Sequence, residues 1–300
     1  MKRARSLIAA FFLVTFFAGC DYVDDPAPPS SNGNVPGVGA FSITIDTTGF
    51  DNTPIAPTRK VMLEDITGHR CNNCPRAARI ALGLQNDVYF DKLILVGVHA
   101  GSFAPPYPPI GDEEYDSDHR TPAGITYQQT FQVSFFPAGF VSRKPSQGSV
   151  IVSEGSWNTA IADLIDDPSS FDLEIDTIIV NAGTVSTVVR LHLAEDIQGP
   201  HNLVVYLTED HVIDWQLDSE ASPNDVPNYD HRHMLRTNLN DTWGSPVIAG
   251  SAPTGRVITV TIANAALDPA WNAANCSLVA WVYNTGTDEV MQAEERKFQP

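Results

Sequence analysis

Val61-Met62-Leu63-Glu64-Asp65-Ile66-Thr67-Gly68-His69-Arg70-Cys71-Asn72-Asn73-Cys74-Pro75 is the stretch that decides the fold of this 300-residue chain. The apolar run Val61 to Ile66 reads as a short strand and Thr67 to Arg70 as a turn. Pro75 to about Val88 reads as a helix, with Ile80, Ala81, Leu84 and Val88 recurring on one face. Proline suits a first helical turn, where its missing N–H has no intrahelical partner to lose. The two cysteines therefore fall at a helix N-terminus, where free N–H groups and the helix dipole favour thiolate over thiol. Strand, Cys-x-x-Cys, helix is the layout of a thioredoxin-type redox site.

Each neighbour of the motif then has an expected part. Cys71 lies outside the first helical turn and is the expected nucleophile; Cys74, one turn further in, resolves the mixed disulfide. His69 and Arg70 bring positive charge that lowers the Cys71 thiol pKa. Strand alternation sends Glu64 and Asp65 to opposite faces, so only one lies beneath the cysteines, and Asp65 is the expected proton acceptor. Phe136-Pro137 follows a short helix at Ile125 to Val133 and precedes the strand-like Gly139-Phe140-Val141. That is the context of a cis-proline opposite the cysteines, which leaves the backbone before it free to pair with an extended polypeptide.

Working outward, Lys92 to His99 is a continuous apolar run that fits a central parallel strand. Gly101 to about Gly124 is irregular, and Trp157 to Ile165 reads as a helix. Near Ser170 the pattern changes to short alternating strands at 172–178, 185–193, 203–207, 257–262, 278–283 and 290–298, with a long loop at 214–250. The predicted fold is an α/β thioredoxin-like domain over residues 41–170 followed by an all-β immunoglobulin-like sandwich domain over residues 171–300.

Residues 1–19 read as a signal peptide: a basic start at Lys2, Arg3 and Arg5, then an apolar run from Leu7 to Phe17 too short to span a bilayer. Phe17-Ala18-Gly19-Cys20 matches the lipobox of bacterial lipoproteins, with Cys20 lipidated. Residues 20–40, rich in Asp, Pro, Ser, Gly and Asn, form a flexible tether. The expected location is the cell envelope, lipid-anchored at the outer membrane. The chain carries 36 acidic against 18 basic residues and no basic stripe with interleaved aromatics, which excludes nucleic-acid binding. Of the four cysteines, Cys276 stands alone at the head of an apolar strand and reads as a buried free thiol.

Two readings stay open: thiol–disulfide exchange on extracytoplasmic polypeptides, and a surface-binding protein whose Cys71–Cys74 disulfide is structural. A zinc site joining the cysteines to His69, or to His231 and His233, is set aside, because two of those histidines lie about 160 residues away in another predicted domain. No cofactor is expected. His99 reads as a hydrogen-bonding residue at a strand end.

Glu64 to Pro75, Val98-His99-Ala100-Gly101, Arg120 to Gly124, Pro137 to Arg143, Tyr229 to Arg236 and Gln292 to Glu295 together resemble the signature of the outer membrane protein 28-related lipoproteins of Gram-negative bacteria. The resemblance runs from about residue 58 to the C-terminus. It implies a thioredoxin-like domain and a β domain on a lipid anchor, and an envelope or surface location. Asn72-Asn73 departs from the Gly-Pro common between thioredoxin cysteines.

Overall fold

The computed structural model describes residues 39–107, 114–181 and 183–298. The expected signal peptide, Cys20 and nearly all of the tether lie outside the described residues.

β1 (Ser42–Phe50) opens the described chain. β2 (Val61–Thr67) and β3 (Leu93–His99) are buried along almost their whole length, as their continuous apolar sequence requires. Between them α1 (Cys74–Gly83) carries Pro75 in its first turn and runs on through a π-type turn, Leu84–Val88. α2 (Pro122–Thr130) is opened by Thr121, whose hydroxyl accepts a hydrogen bond from the Gly124 amide. β4 (Ala138–Val141) and α3 (Trp157–Ala162) follow. The rest is β: β5 (Phe171–Asn181), β6 (Thr184–Leu193), β7 (Ile197–Gln198), β8 (His201–Glu209), β9 (Val212–Leu217), β10 (Asp225–His231), β11 (Met234–Asn238), β12 (Ser245–Ile248), β13 (Ser251–Ala252), β14 (Arg256–Ala266), β15 (Cys276–Asn284) and β16 (Val290–Lys297).

One sheet of eight strands runs through the molecule in the order β16-β15-β8-β11-β3-β2-β4, with β12 also paired to β8. β2 and β3 are parallel and β4 is antiparallel to β2. β11 joins the halves, antiparallel to β8 and parallel to β3 through Met234 and Gly97. The expected boundary near residue 170 therefore separates two sequence patterns but not two sheets. Without β11 the edge of β3 would present unpaired backbone groups, and the later half of the chain supplies the strand that covers it. β1, expected with the N-terminal half, pairs instead with β14 in a second sheet, β1-β14-β6-β5.

The period of two distributes the large sheet over three cores. Leu203, Val205 and Leu207 of β8 face the second sheet, and a β-sandwich core forms between them. Val204 and Tyr206 point to the other face, where Met62 and Ile66 of β2 meet α2 through Tyr127. Val61 and Leu63 pack against Ala77 and Ala81 of α1 and Trp157 of α3. Thus Glu64 and Asp65 diverge. Glu64 enters the face shared with Tyr206 and is held by Arg143 through two hydrogen bonds of 2.7 Å, both side chains being wholly buried. The Tyr206 hydroxyl donates a third, at 3.0 Å. Asp65 goes to the α1 side.

The expected loop at 214–250 is a correction. It holds the β9–β10 hairpin, β11 and β12. Asp, Asn and Pro in this stretch mask its strands, because β10 pairs only with β9 and keeps most of its residues partly exposed. Cys276 is a free, buried thiol, its pKa pushed up to about 12 first by burial and then by the charge of Glu209.

Candidate functional site

Cys71 and Cys74 are joined as a disulfide, Cys71 in the turn after β2 and Cys74 as the first residue of α1. The turn is tight: the Cys71 amide donates to the Gly68 carbonyl at 2.9 Å and the Cys74 amide to the Cys71 carbonyl at 3.1 Å. Gly68 is required there, since a Cβ would lie 2.5 Å from the Phe103 backbone. Ile66 is paired with Ala138, so Pro137 stands just ahead of the first residue of β4, beside the point where β2 runs out into the cysteine turn. The Phe136–Pro137 bond is cis.

Asp65 and Cys74 line one cavity of about 70 Å³, together with His99, Gln216, Tyr229 and His231. Asp65 Oδ1 is buried there with no hydrogen-bond partner. Burial, followed by the negative charge of Glu154, pushes the Asp65 carboxyl up to about 8. The folded state therefore holds a proton that the unfolded chain releases near its ordinary value of 3.8. This contribution to stability is present below about pH 4 and is lost as pH rises through about 8. Asp65→Asn should remove that part of the pH profile, and chemical denaturation between pH 4 and 9 checks it. A slope unchanged by the substitution contradicts the assignment.

His69 and His99 do not take their expected parts. His69 is wholly buried, with Nε2 3.0 Å from the Pro105 carbonyl, and burial holds its pKa below the ordinary histidine value. It is neutral at pH 7 and supplies no positive charge to Cys71. Arg70 donates to the Ser102 carbonyl at 3.1 Å and stacks over Tyr107. His99 was expected to hydrogen-bond at its strand end, yet neither ring nitrogen has a partner. Burial, then the neighbouring His119, holds its pKa well below the ordinary value.

Four histidines meet behind the disulfide. The His119 ring centroid lies 5.9 Å from His69, 5.3 Å from His99 and 5.6 Å from His231, and His99 and His231 are 5.4 Å apart. His119 Nε2 is 2.8 Å from Asp214 Oδ2. Burial opposes the Asp214 charge, but hydrogen bonds from His119, Ser117 and the Trp215 amide hold its carboxyl well below the usual range. Among the described residues no group of three or more His, Cys, Asp or Glu side chains is disposed to hold a metal ion in this disulfide-bonded state.

The β9–β10 hairpin closes the site. The Leu217 amide donates to the His69 carbonyl and the Ser219 amide to the Asn72 carbonyl, each at 2.8 Å. Gln216 Nε2 donates to the Cys71 carbonyl at 3.2 Å. Arg79 of α1 ties the hairpin down through Asp218 at 2.9 Å and Glu220 at 2.6 Å. Cys71 is left 3 % exposed and Cys74 2 %. Sequence reasoning missed Gln216, Asp218 and His119 as members of this site, and set His231 aside for its distance along the chain although it lines the same cavity as Cys74. The signal for the covering strand was Val212-Ile213-Asp214-Trp215-Gln216-Leu217, a run rich in β-formers that ends at turn residues.

The sequence matches the profile of the family described as outer membrane protein Omp28 over residues 125–300, more than half its length. The chain belongs to the Omp28 family. In this Omp28-family chain the match begins within α2, so Pro137, β4 and the covering hairpin fall inside it while Cys71 and Cys74 lie ahead of it. The family is one of outer membrane proteins, and the chain is a protein of the cell envelope. No curated protein matches it. HBP35 of Porphyromonas gingivalis is similar in structure, with a TM-score of 0.57 at 16 % identity, covering 80 % of this chain and 76 % of that one. At that identity the likeness concerns the fold alone. A domain of the outer membrane lipoprotein Omp28 from the same organism shares 20 % identity over 44 % of this chain and 90 % of its own, with a TM-score of 0.29 that carries no structural argument.

Proposed function

We propose that this Omp28-family chain carries out thiol–disulfide exchange on extracytoplasmic polypeptides, held at the envelope by a lipid anchor on Cys20. The observation that carries this reading is the buried Asp65 carboxyl in the cavity it shares with Cys74, on the strand that leads into the Cys71–Cys74 turn. A carboxyl held at about 8 is poised to exchange a proton with a thiol near neutral pH. In the finer fold reading, β2, α1, β3, α2 and β4 form a thioredoxin-like unit with Pro137 beside the disulfide, and the C-terminal half is an immunoglobulin-like sandwich fused to it. Cys71 is the attacking sulfur, Cys74 the resolving one and Asp65 the proton acceptor; Pro137 marks where an extended client segment lies. His69 acts as a buried positioning residue of the turn, since it is neutral.

The closed hairpin sets a condition on this chemistry: a client reaches Cys71 only after β9–β10 lifts. Arg79 makes the two ion pairs that hold it, and partly exposed pairs of this kind contribute about 0.2–1 kcal/mol each. Arg79→Ala should therefore raise the rate of disulfide reduction by a dithiol roughly fivefold, since about 1 kcal/mol shifts an opening equilibrium by that factor. Stopped-flow thiol trapping measures it, and an unchanged rate contradicts the role given to Arg79.

The same burial favours a second reading, in which the disulfide is structural and the molecule is a surface-binding protein. The reduction potential of the pair separates the two.

A further inference from the structure

Several buried polar atoms without partners lie around one cavity. Asp65 Oδ1, His99 Nδ1 and Nε2, and His231 Nε2 are all buried and unpaired. The residues that carry them line the same cavity of about 70 Å³ as Cys74. Buried groups left without partners are costly and rare, so a cluster of them calls for an explanation, and a bound ion is one. His231 is also prepared for a ligand. It hydrogen-bonds the Trp215 backbone, which orients the ring and leaves Nε2 free. His99 and His231 have ring centroids 5.4 Å apart, and two imidazoles sharing one ion at ordinary bond lengths stand about 5 Å apart. In the disulfide-bonded state the Cys74 sulfur is tied to Cys71 and offers no thiolate.

We propose that opening the Cys71–Cys74 disulfide creates a site for one thiophilic d10 metal ion, represented by Zn²⁺, built from the Cys74 thiolate, His99 and His231. Two electrons from a dithiol break the S–S bond; the dithiol leaves as its own disulfide and the two cysteine sulfurs take up protons. The ion then displaces the proton of Cys74 and bonds its sulfur. One thiolate and two imidazoles suit a zinc-like ion and leave the fourth tetrahedral position facing the cavity. The sequence separation that argued against such a site is removed by the hairpin, which carries His231 back onto β3 and α1. The site rests on the exchange reading only in needing Cys74 to become free.

The test removes that dependence. In the full chain in detergent, Cys71→Ser leaves Cys74 free without any reductant. Titration with Zn²⁺ against a chromophoric chelator should give about one ion per chain for this variant and none for the disulfide-bonded wild type. Adding His99→Gln or His231→Gln to Cys71→Ser should weaken binding at least about tenfold, and Cys71→Ser/Cys74→Ser should bind none. Co²⁺ bound to Cys71→Ser should show a sulfur-to-metal charge-transfer band, a readout that needs no histidine variant. Equal uptake by Cys71→Ser and the double cysteine variant, full affinity after replacing both histidines, or absence of the cobalt band overturns the proposal. A structural disulfide, revealed by its potential, overturns the exchange reading and leaves this result unaffected.

Discussion

Arg143→Met should destabilise the protein by about 3–5 kcal/mol, because it leaves the Glu64 carboxylate buried without its partner. In a chain of this size that corresponds to a fall in Tm on the order of 10 °C. Arg143 lies over the rings of Tyr127 and Trp281, at 4.3 and 4.5 Å from their centroids, so its removal also costs cation–π contact. The double variant Glu64→Met/Arg143→Met should recover most of the loss, since an apolar pair of similar volume needs no desolvation. Calorimetry on the single and double variants checks both statements. A single variant within about 1 kcal/mol of wild type contradicts the buried-pair account. The pair matters to function because Glu64 is next to Asp65: by fixing the pleat of β2 it fixes which carboxyl faces Cys74.

The second large effect is chemical. Cys71→Ser should abolish exchange with a disulfide-bonded polypeptide, whereas Cys74→Ser should accumulate mixed disulfides, because the resolving sulfur is gone. Non-reducing electrophoresis of envelope extracts, read with and without dithiol, detects the trapped species. Trapping by Cys71→Ser but not by Cys74→Ser would invert the assigned roles. Absence of trapping by either would favour the surface-binding reading.

The local order around the cysteines was legible because it rests on near neighbours. The apolar runs of β2 and β3, Pro75 at the start of α1 and the alternation of Glu64 and Asp65 are all set within a few residues. The covering hairpin was not legible. Its strands bear Asp214, Asp225 and Asp230, and two of these find partners far along the chain: His119 for Asp214 and the Tyr115 hydroxyl for Asp225. Nor was the single large sheet, since β3 meets β11 through one registered pair, Met234 and Gly97, that no local pattern announces. The neutral state of His69 was hidden for the same reason. Its position beside Cys71 suggests a charge, and its burial against Pro105 and Tyr115, far along the chain, removes it.

The reduction potential of Cys71–Cys74, measured against a glutathione or dithiothreitol series, tests the exchange reading most directly. A value between about −120 and −270 mV is the predicted result and places the pair among working redox sites. A value below about −300 mV marks a structural disulfide and contradicts it.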